Sequence, residues 1–437
     1  MRFCLALILF LFVGAQSMAI PLQKLQTNLG EVWLVEANQI PMVSVLLSFR
    51  AGAAFEPEGK SGLANYTATL LEETGAGPYD AQQLKDQIDD IGAQISIGAS
   101  KLNFTVEITT LKEHLPRALE LADLVLTQGR FDEADGLRVR EALYANLKQS
   151  LESPQTVGAR AFTRALYGKH PYGHFTSGEL ESLQKLTAAD AKNFVTQQLN
   201  RANLKVSIIG QVNKTEVTEL LNKYFANLPA GAKTNTIAEG PQEPGAKVLF
   251  TKREVPQAAV FMGHLGTSLH APDRFAVMVL NYILGGGGFS SRLMEEVREK
   301  RGLAYSVYSS FDYMPFKGSF SVGLQTKNES VDEAIGLVKK EIRDIIASGV
   351  TDEEYKAAID YLTGSFPLRL DTNSKILDNL DLLQTEGLPD DYLDTWVQNV
   401  KKVSKADVQK AAAKYLKPDE MVIVVVGGEK PALAQGK

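Results

Sequence analysis

Leu186-Thr-Ala-Ala-Asp-Ala-Lys-Asn-Phe-Val-Thr-Gln-Gln-Leu-Asn-Arg-Ala-Asn-Leu-Lys-Val-Ser-Ile-Ile-Gly210 has a counterpart 217 residues further on, Val403-Ser-Lys-Ala-Asp-Val-Gln-Lys-Ala-Ala-Ala-Lys-Tyr-Leu-Lys-Pro-Asp-Glu-Met-Val-Ile-Val-Val-Val-Gly427. The two align without a gap. Ala189/Ala406, Asp190/Asp407, Leu199/Leu416 and Gly210/Gly427 are identical, and both stretches read as helix, short loop, apolar strand and terminal glycine. Four identities alone could be chance, but agreement of element order over the same span favours an internal duplication. The fold this implies is α+β, in two halves of roughly 200 residues, each a mixed sheet packed with helices.

Working outward, the first half reads as strands at 33–35, 43–49, 95–97, 102–108 and 204–210. Between them lie helices at 62–72, around Leu84, Ile88 and Ile91, at 111–127, 131–151 and 188–199, and one more follows at 214–225. Residues 228–246 are polar and rich in Pro and Gly, the composition of a linker. The expected division is therefore 20–227, 228–246 and 247–437. After the linker the programme repeats, with strands at 247–251 and 258–264 and a helix at 274–284.

That helix runs into Leu284-Gly-Gly-Gly-Gly-Phe-Ser-Ser-Arg-Leu-Met-Glu-Glu-Val-Arg298-Glu-Lys-Arg-Gly-Leu-Ala-Tyr305-Ser-Val-Tyr308. Four glycines break the apolar run, Ser290 or Ser291 can cap a short helix striped by Leu293, Met294 and Val297, and a strand starts near Leu303. The order is helix, glycine loop, helix, strand. It brings Arg298 and Tyr305 within reach of one point, a cation beside a phenol. A phosphate cradle would need Gly-Lys-Ser/Thr or the dinucleotide fingerprint after a strand, and Gly285–Gly288 has neither.

Residues 1–13 carry one positive charge and then an apolar run, with Ser17-Met-Ala19 for cleavage. This reads as a signal peptide (1–19), too short for a convincing membrane span. Cys4, the only cysteine, leaves with it, and export to a periplasm suits a chain held by its core alone. The net charge of −6, without a Lys/Arg cluster, argues against a nucleic-acid partner.

Gly62-Leu-Ala, His170-Pro-Tyr-Gly173, the glycine loop, Ser291-Arg-Leu and the Arg298/Tyr305 spacing together resemble the pitrilysin/insulinase-type zinc peptidases, over nearly the whole mature chain. The resemblance implies an inverzincin peptidase-like fold. In active members an inverted His-x-x-Glu-His motif follows Gly-Leu-Ala: two imidazoles at i and i+4 hold zinc and a carboxylate takes a proton from water. Here those positions are Asn65, Ala68 and Thr69, and the later helix that supplies the third ligand has Ala145 and Asn146. No metal is expected in this chain. His170 and His174 lie around a Pro-Gly turn, and with His114, His264 and His270 they read as structural or solvated.

By the same resemblance, Arg298 and Tyr305 match the pair that donates to the scissile carbonyl oxygen, and Gly285, Gly286, Gly287, Gly288 and Phe289 match a loop that approaches substrate. The combination implies the non-zinc-binding subunit of an exported heterodimeric peptidase, with zinc in a family relative as partner and a peptide as substrate. The alternatives are a catalytically inactive peptide-binding or scaffold protein, and a standalone enzyme with an unrelated metal site.

Overall fold

The computed structural model describes residues 20–233 and 235–434; the leader and the export expectation that rests on it lie outside them. Strands β1 (Leu22–Thr27), β2 (Gly30–Glu36), β3 (Met42–Phe49), β4 (Gln94–Ala99), β5 (Phe104–Leu111) and β6 (Leu204–Gly210) form a sheet in the order β1-β2-β6-β3-β5-β4. Strands β7 (Lys247–Lys252), β8 (Gln257–Leu265), β9 (Ala304–Phe311), β10 (Ser319–Lys327) and β11 (Val422–Gly427) form another, β7-β11-β8-β10-β9. Without β1 the two orders are the same. Each sheet has a single parallel pair, β2 with β6 and β7 with β11, and every other pair is antiparallel. The α+β class and the duplication are thus present in the topology itself.

Strand β11 is buried along its whole length, and β6 at every position except Lys205. Such central strands need apolar residues on both faces. This is why the two halves kept readable similarity there. Each sheet buries one face under helices of its own half and the other under a helix from the opposite half. Helix Asn373–Glu386 lies on β6 and β3, where Leu377, Leu380 and Leu383 join Trp33, Val35, Leu46 and Ile209 in one buried cluster. In return, helix Pro154–Tyr167 lies on β11 and β8, with Phe162 and Leu166 in a cluster with Val422, Val424 and Val426. Each such leucine contributes about 1.5–3 kcal/mol by leaving water.

Polar contacts fix the angle of the exchanged helix. Ser207 donates to Gln384 at 3.3 Å, Gln384 donates to the carbonyl of Glu31 at 3.0 Å, and Arg50 pairs with Glu386 at 2.6 Å. Between the halves, the described residues of 228–246 are laid along both rather than hanging free. Ile237 packs among the residues under β11, the carbonyl of Glu239 meets His170 Nε2 at 2.9 Å, and Glu243 pairs with Lys317 at 3.1 Å.

Two local expectations are corrected. The helix read at 111–127 starts at Leu115, because β5 runs through Leu111 and Pro116 belongs in a first helical turn. Strand β1, which the sequence reading missed, pairs with β2 at the sheet edge. No helix among the described residues is long and apolar enough to cross a membrane.

Since each sheet is covered by the other half's helix, the halves should unfold together. Leu380→Ala is expected to cost about 2–5 kcal/mol in urea denaturation and to shift one shared transition. Two separate transitions, with only one moved, would contradict this coupling.

Candidate functional site

The degenerate motif lies on helix Leu63–Glu73, with Asn65, Ala68 and Thr69 at i, i+3 and i+4. Glu56 caps this helix from below: its carboxylate accepts from Gly62 N at 2.9 Å and Ala64 N at 2.8 Å. Burial pushes that carboxyl up to about 8, against the pull of the two amides. Tyr66 donates to the carbonyl of Gly136 at 2.9 Å and ties the helix to Glu133–Ser150, on which Ala145 and Asn146 are exposed. The donor set does not fit zinc. Ala68 is buried and has no lone pair to give, and Thr69 has spent its hydroxyl on the Asn65 carbonyl at 3.0 Å. Among the described residues no group of three or more His, Cys, Asp or Glu is placed to hold a metal ion.

Most of the histidines are committed to backbone. His170 Nδ1 accepts from Tyr172 N at 3.1 Å, and His174 Nδ1 lies 2.9 Å from the carbonyl of Ala53. His264 is buried inside β8, 2.9 Å from the Leu265 carbonyl through Nδ1, and accepts from Lys417 N at 3.0 Å through Nε2. Only the neutral ring, protonated on Nδ1, satisfies both contacts.

In the second half the glycine segment departs from the expected loop. Helix Arg274–Asn281 continues through a widened turn, Tyr282–Gly286, in which Gly287 N reaches the Tyr282 carbonyl at 2.9 Å. Gly285 is buried there. A Cβ on it would lie 2.6 Å from both the amide nitrogen and the hydroxyl of Ser309, so glycine is needed for helix and strand to touch. In this structure Gly285 packs against β9. Gly286 and Gly288 are exposed and Gly287 partly so; Gly288 has φ +60 with open space around it. Neither serine caps the next turn through its side chain: Ser290 donates to the Gly287 carbonyl at 2.9 Å and Ser291 to that of Gly288 at 2.7 Å.

Arg292, singled out in sequence only as part of a motif, is an anchor. Its guanidinium meets both oxygens of Glu354 at 2.6 and 2.7 Å and the carbonyl of Gly349 at 2.9 Å. The next basic residue is more exposed. Arg298, on the wide turn Met294–Glu299, has its guanidinium carbon 4.6 Å from the Phe289 ring centre and 4.9 Å from that of Tyr305. Two aromatic faces hold it by cation–π attraction. Glu299 stands 3.4 Å from its Nε at the surface, where such a pair is worth little.

Phe289 is 70% exposed and Tyr305 80%, so the three side chains make an open surface. The Tyr305 hydroxyl has no hydrogen-bond partner among the described residues. Its outward direction comes from a β-bulge that local sequence does not signal. Counting back by twos from buried Phe311, Ser309 and Val307 would put Tyr305 inside. Strand β9 has one extra residue against β10, so Tyr305 and Ser306 together oppose Gln325, and Ala304 returns to the core.

A duplicated α+β fold whose helix Leu63–Glu73 offers no metal ligands at Asn65, Ala68 and Thr69, and which sets a partly buried Arg298 beside an exposed Tyr305, is the class these features define. Residues 31–179 match the insulinase (peptidase family M16) model and residues 185–362 match the peptidase M16 inactive domain. The crystal structure of the peptidase M16 inactive domain from Pseudomonas fluorescens superposes with a TM-score of 0.88 at 30% identity, covering 94% of this chain and 98% of that one. The chain belongs to peptidase family M16. It is also 26% identical over 430 residues to the "non-peptidase homolog YmxG" of Helicobacter pylori, covering 98% of this chain and 99% of that protein. It is 25% identical to the "uncharacterized zinc protease YmxG" of Bacillus subtilis, over 75% of this chain and 79% of that one.

His264 gives a pH test. Burial holds its pKa below the ordinary 6.5, so the stability it supports is present above that value and is lost as pH falls through it. Between pH 7.5 and pH 5 the wild type is expected to lose more denaturation free energy than His264→Asn. Parallel pH profiles for the two proteins would contradict the assignment.

Proposed function

We propose that this chain is the non-zinc-binding subunit of an exported two-subunit metallopeptidase and supplies Arg298 and Tyr305 to a peptide held against a zinc-bearing relative. The observation that carries this reading is the Arg298–Tyr305 pair: a partly exposed guanidinium lying against two aromatic rings, beside an exposed tyrosine whose hydroxyl has no partner among the described residues. Both groups are donors of the kind that stabilise negative charge developing on a carbonyl oxygen. The degenerate helix supports the division of labour, because Asn65, Ala68 and Thr69 offer no metal ligands. The partner is expected to bring the zinc centre; the leader at 1–19 supports export to a periplasm. Phe289, the exposed Gly286 and Gly288 and the partly exposed Gly287 are then the surface over which the substrate backbone passes.

A second reading draws on the exposed rings of Phe289, Tyr305, Tyr308 and Tyr361, which would bind a peptide without any chemistry. The two readings part on mixing. Alone, the purified chain is expected to hold no stoichiometric zinc and to cleave nothing. With a His-x-x-Glu-His relative exported by the same cell, it is expected to form a complex that hydrolyses peptides. Arg298→Ala or Tyr305→Phe should then lower kcat by about 10²–10³. A complex that cleaves equally well with both residues replaced contradicts the proposal, and peptide binding with no gain in hydrolysis favours the second reading.

A further inference from the structure

The two halves differ where their edge hairpins correspond. In the first, β4 and β5 pair without a break from Gln94↔Thr109 to Ala99↔Phe104. In the second, the pairing runs from Phe311↔Phe320 to Val307↔Leu324 and resumes only at Ala304↔Thr326. The duplicated template has therefore been altered by one residue at Tyr305–Ser306. Such a change has a cost, since the extra residue has no ladder partner and the strand bends.

The backbone around it is held at several points. Gly302 N donates to the Arg298 carbonyl at 2.8 Å and Leu303 N to that of Val297 at 2.9 Å, closing the turn that carries Arg298. The carbonyl of Leu303 then accepts from Thr326 Oγ1 at 2.6 Å. Thr326 is 1% exposed and stands opposite Ala304, the first paired residue on the far side of the bulge. Leu303 is thus held at both backbone groups between the two members of the donor pair.

We propose that the bulge at Tyr305–Ser306, pinned by the buried Thr326 hydroxyl, is a positioning device that holds the Tyr305 phenol outward beside Arg298, and that Thr326 is its positioning residue. Without the pin, the residues before Val307 relax toward the unbroken register of the counterpart strand, and this one-residue slip turns them to the opposite face. Tyr305 would then point into the sheet core. The consequence for catalysis rests on the functional reading above; the geometry does not.

Nitration by tetranitromethane, mapped by peptide mass spectrometry on the full chain alone, reads the position of Tyr305 directly. Wild type should be labelled at Tyr305 and at Tyr361, which lies on a separate helix. Thr326→Val should lose most of the Tyr305 label and keep that of Tyr361, and Thr326→Ser, which retains the hydroxyl, should keep both. Full Tyr305 labelling in Thr326→Val overturns the proposal.

Should Thr326→Val unfold, buried Tyr66 and Tyr172 will be labelled as well. Thr326→Ala, which removes the hydroxyl and adds no bulk, then decides: loss of the Tyr305 label supports the device and its persistence overturns it. In a complex with the zinc-bearing relative, Thr326→Val should lower kcat at nearly unchanged KM, with rescue by Thr326→Ser. If labelling falls while cleavage does not, the functional reading fails and the positioning stands.

Discussion

Helix Asn373–Glu386 lies across the first half's sheet and helix Pro154–Tyr167 across the second's, and the remainder of the architecture depends on this reciprocal cover. A sheet that buries apolar residues on both faces needs two layers of helix. Neither half supplies both from its own chain. The result is a single body with a fixed relation between the sheets, sealed by the Arg50–Glu386 pair and by residues 237–243 laid along the seam. Under the proposed function, that rigidity would let a surface on one half work as a template, because its donors would need no reordering when a substrate arrives.

Against this common scaffold the halves have diverged in opposite directions. The first half's leading helix is filled in: Ala68 is buried, Thr69 is bonded to its own backbone and Tyr66 is tied to Gly136. The second half has become less regular. Two widened turns, two left-handed glycines (Gly288 and Gly302) and a bulge lie within the few residues that present Phe289, Arg298 and Tyr305. Irregular backbone is costly and tends to persist where it places a functional group.

What could be read from sequence was whatever is local. The apolar runs of β6 and β11 show the duplication because both strands are buried on both faces, and Arg298 and Tyr305 were legible as the end of a helical stripe and the start of a strand. What depends on a distant partner was not. The bulge is defined by β10, the close approach at Gly285 by Ser309, and the role of Arg292 by Glu354. Helix Pro154–Tyr167 hides its purpose in the same way, since its apolar side matches β8 and β11, which lie far along the chain from it.

The central claim is that Tyr305 touches a peptide in a chamber shared with another subunit. A photo-crosslinking amino acid at position 305 tests it most directly, with a labelled peptide and the His-x-x-Glu-His relative added separately and together. The account predicts strong crosslinking to peptide only when both are present. Crosslinks to the partner protein alone, or none to peptide under any combination, would contradict it.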